Sequence, residues 1–551
     1  MRHRLVVATG LAAALPVIVS TVQAVTTGWL PLGDDATTAV RAYDVLSLHP
    51  PLLGPYSASS SVIGEPVLCP GPLVFWLLAL PVRLGEVAPA IAIGIVNTAA
   101  IVGVVALARR RGGWPLMLAA AAAVAVTCGS LDAPRLHDVW GPAAAVLPFT
   151  LLIFLAWSLA CGEYRLLPVT VLVASFTVQA HLTYILPAAV LLAVGGGLLA
   201  ASRPRIPRRW LVATLAVAIV CWSFPVVEEA IHRPGNVERI VRTATAGKPR
   251  LGAADGWHSV VRAVGVAPWW IRPPRAPFTR LAEVGYAAPG LSTATAVLAL
   301  LALAAVAVAG LRARRRELAA GALLALGLMI SLLAVAASTP TSADLFNVIA
   351  YTLWWASPAG MFAWLVLGFA AVTLLAPARR LEALRARWRA QRPLARLPAA
   401  AGAAAGVLGV AAVGALVAAG GKPDRLEHLF RPARTIVDRV RAEAPAGRGV
   451  LVTGAADEVG FNVQSAVVYA LRSDGVRFVS RLQGLGTHND PGRHPHDSVM
   501  EVADRRGGAP GPGRVIARVT LVDVPADALP SERGPRPVVV TLRRAEPGGT
   551  P

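Results

Sequence analysis

Long apolar runs, separated by short arginine-rich segments, occupy the first three quarters of this chain of 551 residues. Hydrophobic residues make up 55% of the sequence and charged residues only 15%, which is far less charge than a soluble domain of this size carries. Each run is close to the roughly 20 residues that an α-helix needs to cross the hydrocarbon core of a bilayer. The pattern therefore predicts a polytopic α-helical membrane protein.

We predict about eleven transmembrane helices from the length of the apolar runs. Two of the runs, 166–182 and 184–201, are short for a span. The predicted spans are residues 5–27, 86–108, 114–131, 141–161, 166–182, 184–201, 210–227, 290–311, 318–337, 350–376 and 398–420.

Basic residues fall in alternate loops between these spans. The positive-inside rule assigns such loops to the cytoplasm, so the N-terminus is expected inside and residues 421–551 outside. This distribution also accounts for the net charge of +21 without a nucleic-acid partner. The basic segments are Arg2 with Arg4, 109–111, Arg165, 202–209, 312–316 and 379–392.

The sequence divides into a membrane domain, 1–420, and a C-terminal domain, 421–551. The membrane domain has two long external loops, 28–85 and 228–289. In the C-terminal domain, alternating strands and a helix indicate a small extracytoplasmic α/β domain. We expect it to fold apart from the membrane core and to be dispensable for a chemical step. The predicted elements are strands at 449–454, 476–480 and 514–524 and a helix at 463–475.

The first external loop begins "GDDATTAVRAYDVLSLH", with two adjacent carboxylates, Asp34 and Asp35. In the simplest interpretation, one of them is the N-cap of a helix from Ala36 to about Leu48, because aspartate is a preferred N-cap residue. One cap does not need two acids, and acidic groups close to a membrane are costly unless they are used. Residues 70–85 of the same loop are apolar but too short to span, and are predicted to form an interfacial helix.

These residues resemble the GT-C glycosyltransferases, which are multi-span membrane enzymes. The resemblance is carried by Asp34-Asp35-Ala36, by Arg41-Ala42 and by "PGPLVFWLLALPVRLG" at 70–85. The protein O-mannosyltransferases and the lipid A aminoarabinose transferases share these features, and the arabinosyl- and mannosyltransferases of actinobacterial cell envelopes are similar in architecture. The resemblance implies a GT-C-like fold and transfer of a sugar from a polyprenyl-phosphate donor. It also implies that an envelope glycan, glycolipid or protein accepts the sugar at the outer face of the cytoplasmic membrane.

The resemblance also implies roles for the acidic pair. Asp34, the first acid, would be the base that takes the proton of the acceptor hydroxyl. Asp35 would orient Asp34 or the acceptor, or hold a divalent cation, so metal dependence stays open, and no other cofactor is indicated. The oxocarbenium-like transition state favours nearby negative charge, and we expect inversion at the anomeric carbon. Arg41 lies roughly two helical turns beyond Asp34, so it can face the same side, and it would bind the phosphate of the donor.

Other polar residues are weaker candidates, because each also has a structural interpretation as a solvated loop residue, an interfacial residue or part of a charged helix start. The histidine-rich segment 488–497 matches no zinc pattern and is predicted to be a flexible loop. The candidates for the donor phosphate are His181 and Arg233, and those for substrate binding are His49, Glu228, Glu229 and Asn236.

Two alternatives to an enzyme stay open. One is a transporter or flippase for a glycolipid or polysaccharide, and the other is a non-catalytic, GT-C-like binding protein. Transporters usually carry ionisable residues inside their spans and often contain paired repeats. The predicted spans here are nearly free of charge, and the conspicuous acids lie outside them, which favours the enzyme.

Overall fold

The structure, a computed structural model, describes residues 2–272, 283–341, 351–375, 396–444, 449–454, 458–504, 513–521 and 536–545. Most of these residues are helical, and one small sheet lies near the C-terminus. The α-helices up to residue 245 are α1 (Arg2–Ala13), α2 (Leu15–Thr27), α3 (Gly33–Asp44), α4 (Ser60–Ile63), α5 (Leu73–Leu78), α6 (Ala88–Leu131), α7 (Gly141–Ala144), α8 (Val146–Ala160), α9 (Leu167–Ala180), α10 (Ile185–Ala201), α11 (Arg208–Ile231) and α12 (Asn236–Thr245).

The remaining α-helices are α13 (Gly252–Val264), α14 (Gly290–Arg312), α15 (Arg316–Ala337), α16 (Ala356–Leu375), α17 (Arg396–Ala419), α18 (Glu427–Glu443) and α19 (Glu458–Ser473). Short 3-10 helices occupy Pro81–Arg83, Pro134–Leu136, Tyr164–Leu166, Leu182–Tyr184, Trp269–Ile271 and Thr487–Asn489. The strands are β1 (Val450–Gly454), β2 (Phe478–Ser480), β3 (Ser498–Asp504), β4 (Arg514–Leu521) and β5 (Arg536–Arg544).

In the described part of the chain, 8 helices are long and apolar enough to cross a membrane, or up to 9 if the pair α1 and α2, bent by 57°, is one span. The chain is therefore built as a multi-pass membrane protein. The prediction of about eleven spans differs because α6, with 44 residues, covers two predicted spans, and the apolar helix Tyr164–Ala180 is short. Gly112 and Gly113 interrupt α6 with non-helical backbone, and Gly113 has a φ of 67° that favours glycine.

Three of the arginine-rich segments meet on one face of the helical domain. Arg110 Nη1 lies 3.1 Å from Glu163 Oε2, and Arg111 pairs with the same carboxylate. The indole nitrogen of Trp157, near the end of α8, donates to the carbonyl of Glu317 at the start of α15 at 2.8 Å. The break in α6, the loop before α9 and the loop before α15 therefore lie together, as the predicted alternation of loops requires. Which side of the membrane this face occupies stays a prediction.

The centre of the helical domain is packed with aromatic side chains from α8 and α16. Phe149, Phe154 and Trp157 of α8 are fully buried. Phe362 of α16 packs edge-on against Trp157 and Phe154, with ring centroids 5.4 and 5.5 Å apart. Edge-to-face contacts of this kind add to the dispersion energy of burial. The helix α8 therefore lies at the centre of the helical domain, and the surrounding spans pack against it.

The C-terminal domain contains a five-stranded sheet in the order β2-β1-β3-β5-β4. The strand β1 lies between β2 and β3 and is parallel to both, whereas β5 is antiparallel to β3 and β4. The helix α19 connects β1 to β2, which is the usual crossover between parallel strands. The structure therefore contains the predicted small α/β domain, with β3 and β5 as additional strands.

Candidate functional site

The acidic pair lies in the first turn of α3 and does not cap it. The N-cap position is Leu32, whose backbone is extended, and no side chain caps the helix. The expectation of a capping aspartate and of a helix from 36 to 48 is therefore wrong, because the helix starts at Gly33 and ends at Asp44. Carboxylates in the first helical turn still interact favourably with the positive end of the helix dipole.

Gly33 fixes the start of α3 against the C-terminal domain. Its φ of +53° is a left-handed conformation, and a Cβ at this position would lie 2.7 Å from Oδ1 of Asn462. The Gly33 amide donates a hydrogen bond of 2.7 Å to Oγ of Ser465 in α19. Glycine is needed here both for its backbone conformation and for the close approach of α19.

One face of α3 forms the floor of a cavity of ≈ 600 Å³. Asp34, Thr37, Thr38 and Arg41 line it, which is the i, i+3, i+4, i+7 spacing of residues on one side of a helix. The structure therefore places Asp34 and Arg41 on one side, as the sequence predicts. The volume lies within the range of pockets that hold small-molecule substrates.

The C-terminal domain supplies the opposite wall of the cavity. Its contribution comes from the end of β1, from α19 and from the loop after β2. The lining residues of this wall are Leu451, Val452, Thr453, Gly454, Phe461, Gln464, Arg481, Leu482, Gln483 and Gly484.

Aromatic side chains also line the cavity. Tyr56, Phe75 and Trp140 line it, and Trp140 packs edge-on against Tyr351 with ring centroids 4.5 Å apart. Behind them, His181 packs against the same tyrosine at 5.6 Å. The cavity thus combines apolar aromatic walls with a few charged groups, which is the usual composition of a site for a polar organic ligand.

The Asp34 carboxyl is the acidic group of this cavity. Its side chain is exposed to the cavity although it lies deep in the protein. Burial and then the negative charge of Asp138 raise the pKa of the Asp34 carboxyl to about 6. Cavity water reaches the carboxyl and screens part of this effect. A carboxylate with a raised pKa is suited to accept a proton near neutral pH.

Asp35 faces a different environment from Asp34. Its carboxyl is close enough to that of Asp138 to share a hydrogen bond when one of the two is protonated, and Asp424 lies nearby. Burial, followed by the charge of Asp138, raises the pKa of Asp35 well above its ordinary value, and Arg135 partly opposes this. Asp35 therefore belongs to a cluster of charged side chains that differs from the cavity around Asp34.

The loop between α6 and α7 provides most of this cluster, and sequence reasoning missed it. Arg135 Nη1 lies 2.6 Å from Oδ2 of Asp138, and the other oxygen of Asp138 accepts from the Trp140 amide at 2.9 Å. The ring Nδ1 of His137 lies 2.7 Å from Oγ of Ser20. A signal was present, because "LDAPRLHDVW" (131–140) concentrates three charged residues and a histidine between two apolar runs.

Arg41 is engaged within the protein by a buried carboxylate. Its Nη1 lies 2.5 Å from Oδ2 of Asp44, whose side chain is 0% exposed. Asp44 is also contacted from the C-terminal domain, by Arg472 Nη2 at 2.7 Å and by His488 Nε2 at 3.3 Å. The positive charge of Arg41 is therefore partly compensated before any substrate binds.

The contacts of Asp44 correct the expectation that the C-terminal domain folds apart from the membrane core. That domain is docked on α3 through Asp44 and through the hydrogen bond of Ser465 to Gly33. The histidine-rich segment 488–497 is part of the interface between the two domains, because His488 stacks on His49 with ring centroids 4.7 Å apart. Neither His49 nor His488 is among the described residues that line the cavity.

The described residues of the second external loop make structural contacts, and none of them lines the cavity. Glu228 and Glu229 accept hydrogen bonds from the amides of Asn236 and Val237, at 3.2 and 2.9 Å, at the start of α12. The Asn236 side chain accepts a hydrogen bond from the Leu68 amide at 3.0 Å and donates one to the Leu68 carbonyl at 2.9 Å. This loop therefore ties α12 to the first external loop. The role of these residues in substrate binding stays a prediction.

The two further candidates for the donor phosphate lie apart from the cavity lining. His181 follows α9, and its Nδ1 accepts from the Thr183 amide at 3.3 Å. The side chain of Arg233 is exposed. Over the described ranges, no group of three or more histidine, cysteine, aspartate or glutamate side chains is arranged to hold a metal ion.

Comparison with known proteins gives a weak structural likeness. No protein-family model and no curated protein sequence matches the chain. Among solved structures, the chain is similar to the crystal structure of ArnT from Cupriavidus metallidurans in the apo state, with 12% sequence identity and a TM-score of 0.44. The alignment covers 96% of this chain and 97% of that chain. The function must therefore be inferred from the chemistry of the site.

Proposed function

We propose that the protein is an integral membrane glycosyltransferase of the GT-C kind. It transfers a sugar from a polyprenyl-phosphate donor to a glycan, glycolipid or protein acceptor of the cell envelope, at the outer face of the cytoplasmic membrane. The observation that carries the proposal is the position of Asp34. It is a carboxylate of raised pKa on the floor of a ≈ 600 Å³ cavity, in a chain whose described part contains 8 helices long and apolar enough to cross a membrane.

The reaction follows from the groups that face the cavity. The acceptor hydroxyl attacks the anomeric carbon, a new C–O bond forms, and the bond to the lipid phosphate breaks with its electron pair on the phosphate oxygen. Asp34 takes the proton of the acceptor as a general base. A single displacement of this kind inverts the anomeric configuration. Arg41 is the cation of α3 that faces the same cavity, and it would stabilise the leaving phosphate.

Asp35 and Asp138 have a supporting role in this proposal. The backbone amide of Trp140 and the guanidinium of Arg135 fix Asp138, so Asp138 can fix the orientation of α3 at Asp35. The pair thus holds Asp34 in place, while the base itself stays accessible from the cavity.

The proposal is tested with the purified full-length protein in detergent. A panel of polyprenyl-phosphate sugars, each carrying a radiolabelled sugar, is incubated with envelope lipids and glycans as acceptors. The label should appear in an acceptor, and polyprenyl phosphate should be released in equal amount. Asp34→Asn should abolish both products in protein that elutes from size-exclusion chromatography like the wild type. Release of polyprenyl phosphate without a labelled acceptor would indicate hydrolysis and contradict the transferase.

A further inference from the structure

The sheet of the C-terminal domain presents its carboxyl edge to the cavity. Residues Leu451 to Gly454, at the end of β1, and Arg481 to Gly484, just after β2, both line it. The strands β1 and β2 are parallel neighbours, so their carboxyl ends lie side by side at this edge. Open α/β sheets bind ligands outside the carboxyl ends of their strands.

Hydrogen bonds hold this edge in a fixed shape. The Gln464 side chain donates to the carbonyl of Val452 at 3.2 Å, and the hydroxyl of Ser480 donates to the same carbonyl at 2.9 Å. Ser480 Oγ also accepts from the amide of Leu482 at 3.3 Å. The ends of β1 and β2 and the start of the following loop are therefore joined, so Arg481 leaves the sheet from a rigid position.

Arg481 is the cation on the C-terminal wall of the cavity. Its side chain is exposed, and no carboxylate in the described part of the chain pairs with it. Arg41, on the opposite floor, is already paired with Asp44 at 2.5 Å. The guanidinium of arginine forms paired hydrogen bonds with phosphate oxygens. The exposed guanidinium of Arg481 lines the same cavity as Asp34. It therefore has the chemistry and the position of a phosphate-binding group.

We propose that the C-terminal domain binds the phosphate group of a substrate through Arg481, at the carboxyl ends of β1 and β2. This inference rests on the proposed function for its context, because the same cavity would hold the sugar donor. It makes the C-terminal domain part of the substrate site. The phosphate is either that of a lipid headgroup or a free phosphate, and the two sources are separated by the probes below.

Binding is measured by equilibrium dialysis with the full-length protein in detergent. One probe is a short-chain polyprenyl monophosphate, the second is inorganic phosphate, and the matched polyprenyl alcohol reports binding of the chain alone. The variants are Arg481→Gln, which removes the charge, and Arg481→Lys, which keeps it without the planar fork. The control is Arg477→Gln, because Arg477 is also exposed and lies just before β2, at the opposite end of the same strand.

Arg481→Gln should weaken phosphate binding about 10- to 100-fold, as expected for the loss of hydrogen bonds to a charged group. Arg481→Lys should lose less, and Arg477→Gln should bind like the wild type. If Arg481→Gln loses affinity for the polyprenyl phosphate alone, the ligand is a lipid headgroup. If it loses affinity equally for inorganic phosphate, the site binds free phosphate. All variants should bind the polyprenyl alcohol with equal affinity. Unchanged phosphate binding in Arg481→Gln, or equal loss in Arg477→Gln, overturns the inference.

The sugar-transfer assay distinguishes failure of this inference from failure of the proposed function. If the wild-type protein transfers sugar and Arg481→Gln binds both phosphates normally, the phosphate site is wrong and the transferase stands. If the wild-type protein transfers no sugar and Arg481→Gln still loses phosphate binding, the site stands and the transferase is wrong.

Discussion

Arg472 of α19 donates a hydrogen bond of 2.7 Å to Oδ1 of Asp44 at the end of α3. The two residues are 428 positions apart in the chain, and Asp44 is fully buried. This contact joins the C-terminal domain to the helix that carries the acidic pair. A cavity with one wall from each domain follows from it, so the relative position of the two domains decides the shape of the candidate site.

Asp34→Asn should lower the rate of sugar transfer by about 10²–10⁴-fold, the usual contribution of general base catalysis. The amide has nearly the same size, but it cannot accept a proton. Transfer of radiolabelled sugar at saturating donor measures the effect. The variant should unfold at the same temperature as the wild type or higher, because a carboxylate in a desolvated position is removed. A wild-type rate would show that Asp34 is not the base.

The pH dependence of transfer should report the raised pKa of Asp34. Below about pH 6 the carboxyl is protonated, so kcat/KM should rise with pH and become constant above that value. The effect of pH on the free energy of unfolding has the opposite direction, because the folded state favours the protonated form of Asp34. The contribution of Asp34 to stability is complete below its ordinary pKa of 3.8 and is lost as the pH rises through about 6. A profile of kcat/KM against pH checks the first statement, and a flat profile from pH 4.5 to 8 would contradict it.

Asp44→Asn should release the C-terminal domain from α3. Burial alone would raise the pKa of Asp44, but the hydrogen bond with His488 and then the positive charge of Arg41 hold it below its ordinary value. The Asp44 carboxylate therefore stabilises the interface between the C-terminal domain and α3 above pH 3.8. This stabilisation is lost as the pH falls below that value. Removing it leaves three basic groups without their partner, at a cost of about 3 kcal/mol.

Thermal unfolding and limited proteolysis between the domains measure the effect of Asp44→Asn. The matched control is Asp438→Asn, because Asp438 is 66% exposed and lies 3.9 Å from Arg441. Such a surface pair is worth about 0–1 kcal/mol, so this variant should behave like the wild type. Equal behaviour of the two variants would show that the Asp44 contacts do not hold the domains together.

Removal of the C-terminal domain should abolish transfer, contrary to the expectation from the sequence that this domain is dispensable, because it supplies one wall of the cavity. A chain that ends at Gly421 lacks every residue of the C-terminal wall of the cavity, and Asp44 loses two of its partners. A chain that ends at Ala545 keeps all five strands of the sheet and should stay active. Both chains should be recovered in the membrane fraction in similar amounts. Transfer by the shorter chain at a rate near that of the wild type would show that α3 alone forms the catalytic site.

The C-terminal domain should lie outside the cytoplasm. In a Cys161→Ala background, Arg518→Cys on the exposed strand β4 should react with a membrane-impermeant maleimide in intact cells. Ala313→Cys, in the exposed loop between α14 and α15, should react only after permeabilisation. Cys161 is replaced because the other cysteines, Cys69, Cys128 and Cys221, are buried. The reverse labelling pattern would invert the proposed topology.

The sequence by itself determined the features that depend on neighbouring residues. Apolar runs near the length of a span predicted the helices of the membrane domain, because a bilayer forces the backbone to satisfy its own hydrogen bonds. The spacing of Asp34 and Arg41 predicted that they share a face of α3. Alternating strand and helix patterns predicted β1, α19 and β2. The break at Gly112 and Gly113 was also recognisable, since three arginines precede it.

Only the tertiary structure decided what these elements form together. It placed Asp35 beside Asp138 and Asp424, it paired Arg41 with Asp44, and it put Arg481 on the wall opposite Asp34. It also showed that the C-terminal domain is docked on the first external loop. Such contacts join residues hundreds of positions apart, and they depend on how complete helices and the sheet pack. Local periodicity contains no information about that packing, whereas burial and charge compensation in the folded chain fix it.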